Sequence, residues 1–275
     1  MKKLGLINYE GDCLKAIKEG NMVKIIDQYG ETVNVLTKQE VLLFVDGSLE
    51  IIDSKNKTWN YTKESKEAKP TVEEIVDFLE LHKKIKNALI SVYDKNNLEP
   101  MVRHLHENNV TIYSTGGTAK FITDLGIPVI EVQDITNYPS ILGGRVKTLH
   151  PTIFGGILSR RDNKEDLKET KKYKIPEIDL VIVDLYPFEE TVNSGASFEE
   201  IVEKIDIGGV SLIRAAAKNF NDVVVLCNDK KKNWFLSNKI TKTSLQERMD
   251  LASVAFKKTK KYDKKISDWF KNYES

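Results

Sequence analysis

Two cysteines in 275 residues, Cys13 and Cys227, lie too far apart to frame a disulfide scaffold, and neither belongs to a CxxC pair. They read as reduced thiols of a cytoplasmic protein, with Cys227 expected to be a small buried hydrophobe inside the apolar run "DVVVLC". Surplus charge is missing as well. The 42 Lys and Arg are almost cancelled by 41 Asp and Glu, leaving +1. No broad field grips a nucleic-acid backbone, so no nucleic-acid partner is expected. Long apolar runs are absent too, and none approaches the roughly 20 residues that span a bilayer. The opening "MKKLGLINYEGD" starts like a signal peptide but meets Glu10 and Asp12 before an apolar stretch forms, so neither targeting nor a membrane is expected.

What is present is enough apolar content for a packed core, 40% of the chain, in two different rhythms. Up to residue 62 the segments are short and rich in β-branched and aromatic residues: "MVKIIDQ", "ETVNVLT", "EVLLFVD", "SLEIIDS" and "TWNYT". Turn-formers separate them, and Asp46-Gly47 in "VDGSLEII" is a hairpin signal because Asp-Gly tolerates positive φ. Residues 1–62 therefore read as a small antiparallel β unit, with Trp59 and Tyr61 in its core. Residues 63–70, "KESKEAKP", form a charged linker. The spacing of Val72, Ile75, Val76 and Leu79 predicts a bridging helix capped by Thr71 within residues 63–86.

From Asn87 strands alternate with helices. "NALISVY", "VTIYS", "PVIEV", "DLVIVDLYPF" and "DVVVLC" read as strands; "LEPMVRHLHENN", "AKFITDLG" and "SFEEIVEKI" read as helices. Alternation implies a parallel sheet with helices on both faces, which binds ligands at the carboxyl ends of its strands. The polar and glycine-rich segments "SVYDK", "STGGT" and "DLYPF" fall there. The last stretch reads as one long helix or two, with Leu251, Val254, Ala255, Tyr262, Ile266 and Phe270 as its buried stripe and the lysines as a solvated face.

Several of these segments have residue types suited to an anion. "STGGT" (residues 114–118) ends a strand and opens a helix, where backbone N–H groups cradle phosphate, although an ordinary turn has the same look. Lys95 ends the first parallel strand; it is either a surface lysine or a cation facing that phosphate. In "LGGRVKTLHP", Arg145 and Lys147 share a face of extended chain. His150 ahead of Pro151 is expected to bond backbone rather than to catalyse. Tyr186 in "DLYPF" is either a core aromatic or a functional hydroxyl. "IDIGGVSLIRAAAKN" sets Asp206 before Gly208-Gly209, a pair that suggests close backbone approach. In the helix that follows, Lys218 either snorkels to water or, half-buried, moves protons.

Taken in order, "ALISVYDK", "STGGTAKF", "LGGRVKTLHP", "GGILSRRD", "DLYPFEETV", "IDIGGVSLIRAAAKN" and "LASVAFKKTKKYD" resemble the cyclohydrolase part of the AICAR transformylase/IMP cyclohydrolase family, from about Asn87 onward. The resemblance implies an α/β, methylglyoxal-synthase-like fold and closure of 5-formamidoimidazole-4-carboxamide ribotide to inosine monophosphate, without metal or cofactor. It also implies a homodimer. Carried over by position, Ser91, Lys95, Thr115, Gly116, Gly117 and Thr118 would hold the phosphate end. Arg145, Lys147 and Thr148 would border ribose and base, with Ile207, Gly208 and Gly209 beside them. Lys147, Tyr186, Asp206 and Lys218 match the catalytic set. Tyr93 stands where the family commonly has Ser, and Asp184 where it has Asn; both are included among the substrate-binding positions. The formyl-transferring domain is not matched, so no transformylase activity is expected, and residues 1–86 have no recognised counterpart. Two other readings compete: a nucleotide-sensing module that binds without turnover, and methylglyoxal synthase.

Overall fold

The computed structural model describes residues 2–9, 12–19, 22–26, 32–36, 49–52, 58–61 and 82–273, with side chains from Lys83 onward. The chain divides into two compact units, Met1–Lys83 with Ser244–Gln246, and Lys84–Thr243 with Glu247–Ser275.

In the first unit, Lys2–Tyr9 (β1), Asp12–Glu19 (β2), Met22–Ile26 (β3) and Thr32–Leu36 (β4) form an antiparallel sheet in sequential order. Leu49–Ile52 (β5) pairs antiparallel with Thr58–Tyr61 (β6), in a register that sets Ile51 opposite Trp59. The β reading thus extends to the N-terminal hairpin, whose alternation is too weakly apolar to be read as strand. The Asp46-Gly47 hairpin, the strand "EVLLFVD", the linker, the bridging helix and the side chains of Trp59 and Tyr61 lie outside the described residues.

The second unit is built on five parallel strands. These are Asn87–Ser91 (β7), Thr111–Ser114 (β8), Ile130–Glu131 (β9), Leu180–Val183 (β10) and Val224–Leu226 (β11), in the spatial order β9-β8-β7-β10-β11. Leu180, Val181, Ile182 and Val183 are all at most 1% exposed. Such burial is why that run is continuously apolar rather than alternating. The chain lays down β7, β8 and β9 in one direction and then returns to place β10 on the other side of β7. The switch point lies between β7 and β10, where Ser91 pairs with Val183, and it leaves a crevice beyond their carboxyl ends.

Helices Leu98–Glu107 (α1) and Gly116–Asp124 (α2) follow β7 and β8. On α1, Leu98, Met101, Val102 and Leu105 are buried at the spacing read from the sequence. Val132–Thr136 (α3) and Pro151–Leu158 (α4) follow. His150 is the N-cap of α4, its Nδ1 accepting the Thr152 N–H at 3.2 Å, the structural role expected of it. Lys164–Lys172 (α5) was not legible, having almost no apolar face; the Asn163 side chain caps it. Phe188–Asn193 (α6) and Phe198–Glu203 (α7) come next, the latter closed by a capping box between Ser197 and Glu200. Gly208–Lys218 (α8), Asp229–Ser237 (α9) and, from Glu247 onward, Leu245–Asn272 (α10) complete the unit.

The stripe on α10 needs one correction. Leu251, Ala252, Ala255, Thr259 and Tyr262 are buried, whereas Phe270 is 51% exposed and packs its ring on Trp269 at 4.7 Å. Eight residues beyond Tyr262 the helix has turned about 80° away from the stripe. Cys227 is buried and free, and burial pushes its thiol pKa up. Among the described residues no helix is long and apolar enough to cross a membrane.

Candidate functional site

A cavity of about 700 Å³ opens beyond the carboxyl ends of β7, β8 and β10, at the switch point. Its size is that of a small-molecule site. Five segments meet there, four of them singled out by their glycines or cations and the fifth, after β10, by its tyrosine.

The loop after β7 contributes Ser91, Tyr93 and Lys95. It is pinned on both sides. Thr118 Oγ1 donates to the Val92 carbonyl at 2.9 Å and accepts the Val92 N–H at 3.2 Å. The Asp184 carboxylate accepts the N–H groups of Tyr93 and Asp94. Within the loop, Lys95 Nζ donates to the carbonyls of Val92 and Tyr93 at 2.9 and 3.0 Å.

The turn after β8 supplies Thr115, Gly117 and Thr118. Thr115 is the extended N-cap residue of α2, and Gly116 adopts φ +53° behind it without lining the cavity. A Cβ at Gly117 would stand 4.0 Å from Lys95 Nζ, so the ammonium already faces the helix start. A cation and a helix N-terminus aimed at one spot make an anion seat.

The third loop brings Gly143, Gly144, Arg145, Lys147 and Thr148. Gly143 and Gly144 adopt φ +64° and +95°, conformations that only glycine takes cheaply and that turn the following cations inward. The second pair of this region serves packing instead. A Cβ at Gly156 would strike the Pro176 carbonyl, and Gly156 O accepts the Ile178 N–H at 3.0 Å.

The fourth segment carries Asp206, Ile207, Gly208 and Gly209 at the start of α8. Asp206 Oδ1 accepts the Gly209 N–H at 2.6 Å. The close approach read from Gly208-Gly209 is therefore to the site's own side chains. A Cβ at Gly209 would lie 2.6 Å from Asp206 Oδ2, and one at Gly208 would lie 3.2 Å from Thr148 Oγ1. Burial raises the Asp206 pKa, the Gly209 N–H and Lys147 oppose that rise, and the neighbouring Asp184 adds to it. Burial also raises the Tyr186 pKa, with Asp206 and Tyr93 adding to it, so the phenol stays protonated at neutral pH. Tyr186 lines the cavity and meets Tyr93 edge-on, ring centroids 5.4 Å apart.

Gly116 aside, Lys218 is the exception among the expected residues. It does not line this cavity. It is exposed at the last turn of α8, whose first turn holds Gly208 and Gly209. Ten residues of helix separate those ends by roughly 15 Å. Helical spacing places Lys218 beside Arg214, four residues earlier, but nothing in that spacing says which end of the helix meets the site.

Four participants went unread. Glu203 lines the cavity and binds Arg145, Oε1 to Nη2 at 2.5 Å. Lys204 Nζ stands 5.7 and 5.6 Å from the ring centroids of Tyr93 and Tyr186. Tyr262, expected only as core, accepts the Asp206 N–H at 2.8 Å and donates to the Lys204 carbonyl at 2.9 Å. Burial pushes its pKa up to about 12. Lys232 lies buried beside Asp184. Glu203 and Lys204 had a signal in their nearness to Asp206; Lys232, inside a charged run, had none.

The departures at Tyr93 and Asp184 now have a setting. A carboxylate only accepts hydrogen bonds, and two backbone N–H groups are what Asp184 faces. Tyr93, 49% exposed, edges the mouth instead of filling the cavity.

The family model described as MGS-like domain matches residues 97–211, and the one described as AICARFT/IMPCHase bienzyme matches residues 216–275. The bifunctional purine biosynthesis protein PurH of Bacteroides thetaiotaomicron is 55% identical over 191 residues, 68% of this chain and 38% of that protein. Its counterpart in Rhodospirillum rubrum is 50% identical over 189 residues, 68% of this chain and 36% of that one. The chain thus spans well under half the length of the curated relatives it matches. A solved structure described as "Crystal structure of ForH" superposes with a TM-score of 0.57 at 32% identity, covering 67% of this chain and 96% of that one. The matches fall on the parallel α/β unit that builds the cavity, and through it the chain belongs to the AICARFT/IMPCHase family, in the IMP cyclohydrolase part that has the MGS-like fold.

Proposed function

We propose that this chain is an IMP cyclohydrolase of purine biosynthesis. It closes 5-formamidoimidazole-4-carboxamide ribotide to inosine monophosphate: the carboxamide nitrogen bonds to the formyl carbon, and the formyl oxygen leaves as water. The observation that carries this reading is one cavity lined by the phosphate-type turn at Thr115 and Gly117, by Lys95, and by Lys147, Tyr186 and Asp206. A sensor would need only the first two.

A carboxamide nitrogen is a weak nucleophile. Asp206, fixed by Gly209 and tied through its own N–H to Tyr262, accepts a carboxamide N–H and aims the nitrogen. Orientation of this kind contributes up to roughly 7 kcal/mol. The attack builds an oxyanion on the formyl carbon, and the Lys147 ammonium is its partner. A good donor there contributes about 3–4 kcal/mol. Asp206 takes the proton the nitrogen sheds and passes it to the oxyanion, making the hydroxyl; Tyr186, kept protonated, supplies the proton with which that hydroxyl departs as water and regains one from the formamido N–H as the C=N bond forms.

Lys218 enters this scheme from a second copy of the chain. Exposed and about 15 Å along α8 from its own cavity, it serves only if a homodimer brings it to the partner's site. The roles of Lys147, Tyr186, Asp206 and Lys218, the homodimer and a cytoplasmic location are parts of the same proposal. The test is absorbance: purine formation from the formamido ribotide changes the ultraviolet spectrum directly. Binding of inosine monophosphate with no spectral change on adding the formamido ribotide would make the chain a sensor.

A further inference from the structure

We propose that Asp184 and Lys232 are a positioning pair that holds the loop carrying Tyr93 and Lys95 in its ligand-ready shape; this rests on the cavity being the phosphate-binding site read above. Asp184 follows β10 directly, next to β7 across the switch point, and its side chain is 15% exposed. Oδ1 accepts the Tyr93 N–H, and Oδ2 accepts the Asp94 N–H at 3.2 Å. Two consecutive N–H groups converging on one carboxylate fix the local backbone, because each must exchange a charge-assisted bond for one to water before it can swing away.

Lys95 depends on that backbone. Its ammonium is held by the carbonyls of Val92 and Tyr93, and those two carbonyls aim it at Gly117. Releasing Tyr93 rotates one of them and frees the cation. Thr118 holds the Val92 end of the loop, and Asp184 holds the Tyr93–Asp94 end.

A largely buried carboxylate is costly without a cation, and Lys232 provides one. Its side chain is 10% exposed on α9, with Nζ 3.7 Å from Asp184 Oδ2 and 3.1 Å from Asp229 Oδ1. Asp229 opens the same helix and fixes the lysine from the solvent side. Lys232 does not line the cavity, so any effect it has on a ligand passes through Asp184. The path runs from α9 through the carboxylate to two backbone N–H groups and then to the phosphate-facing ammonium. It joins an element with no part in the chemistry to the grip on the ligand.

The experiment uses the full chain and ribose 5-phosphate, a probe that keeps the phosphate end and lacks the reacting base. Calorimetry measures its Kd for wild type and for Asp184→Ala, Asp184→Asn, Lys232→Met and Asp184→Asn/Lys232→Met. The loss of one charge-assisted contact is expected to raise Kd about 10-fold in Asp184→Ala and in Lys232→Met. The double variant is expected within about 3-fold of Asp184→Asn, because a neutral amide needs no counter-ion. In turnover, KM for the formamido ribotide rises with Kd while kcat stays within about 3-fold. In 15N-labelled protein the amide resonances of Tyr93 and Asp94 move in Asp184→Ala and Lys232→Met, which a remote folding defect would not single out. Should Lys232→Met fail to fold, Asp184→Ala against Asp184→Asn carries the comparison.

Unchanged Kd in folded Asp184→Ala overturns the proposal. So does a fall in kcat at constant KM, which would put Asp184 on the reacting atoms. Wild type that binds ribose 5-phosphate with these responses yet closes no ring sinks the cyclohydrolase reading and leaves the pair standing. Wild type that binds no ribose 5-phosphate removes the phosphate site, and the proposal with it.

Discussion

Replacing Gly209 by alanine tests the catalytic geometry with a single methyl group. Its Cβ would sit 2.6 Å from Asp206 Oδ2 and 3.0 Å from both Cγ and Oδ1. Ordinary carbon–oxygen contact begins near 3.4 Å, so the carboxylate must retreat by roughly 0.8 Å. The retreat breaks the 2.6 Å bond from the Gly209 N–H. A hydrogen bond to a charged group contributes about 1.5–3 kcal/mol, and a displacement near 1 Å at a reacting group costs about 100-fold in rate. We expect kcat to fall about 30- to 100-fold, a barrier increase of roughly 2–2.7 kcal/mol. Affinity for inorganic phosphate should not change, because the phosphate seat is built from other loops. Stability should fall by roughly 1–2 kcal/mol, because losing that bond outweighs the up to about 1 kcal/mol that alanine gains as the better helix former. The assay is ring closure by absorbance, with thermal unfolding measured in parallel. Gly195→Ala is the control: at φ +74° with open space around it, it should lose stability and keep kcat. Gly209→Ala turning over within 3-fold of wild type would refute the claim that Asp206 must stand where its carboxylate now stands.

Further tests concern Asp206, Glu203 and Lys218. Burial raises the folded-state pKa of Asp206, so between the ordinary value near 3.9 and the raised one the folded state binds the extra proton. Stability from this group is present below that window and falls as pH rises through it. Asp206→Asn should therefore melt higher than wild type at pH 7, with the gain vanishing in acid, while kcat drops about 30- to 160-fold for a lost contact of about 2–3 kcal/mol; equal melting temperatures at pH 7 would contradict this. The acid limb of the wild-type kcat profile should likewise lie above the usual aspartate range. Glu203 holds Arg145 at the cavity edge, so Glu203→Gln frees that cation for an anionic ligand. A KM lowered a few-fold, with stability changed by less than about 1 kcal/mol as for other exposed pairs, is the outcome; a raised KM would mean that Glu203 binds substrate. Asp206→Asn and Lys218→Ala, each reduced alone to about 3% of wild-type turnover or less, should regain up to about a quarter of it when unfolded and refolded together, because mixed dimers contain one intact site if Lys218 acts across the interface; no recovery in mixed dimers would exclude that route.

Much of the site was legible because its chemistry sits on local motifs. "STGGT" announced a strand stopping and a helix starting, and the structure puts Thr115, Gly117 and Thr118 on the cavity. Arg145 and Lys147 both line it too, although Arg145 closes a helical turn at φ −64°, ψ −30° instead of lying on the extended chain expected. The pair at Gly208 and Gly209 was read correctly as close approach but toward the wrong object, since a glycine says that something comes near and not what. Tyr262 lies 56 residues from Asp206 in sequence and bonds its N–H. It was legible only as an apolar ring on a helix stripe, because its hydroxyl finds a purpose only after α10 has packed.

By itself the sequence determined the alternation that makes a parallel sheet, the apolar runs that bury β7 and β10, and the loops at whose tips cations and glycines gather. These follow from period, turn chemistry and residue type, which act over a few neighbours. Tertiary structure alone decided that β10 returns beside β7, so that Ser91 and Asp184 flank one crevice, and that α8 points its first turn rather than Lys218 into it. It also decided that a lysine from a charged run on α9 is buried against Asp184. Those outcomes depend on which elements pack together, and packing joins residues that no local pattern relates.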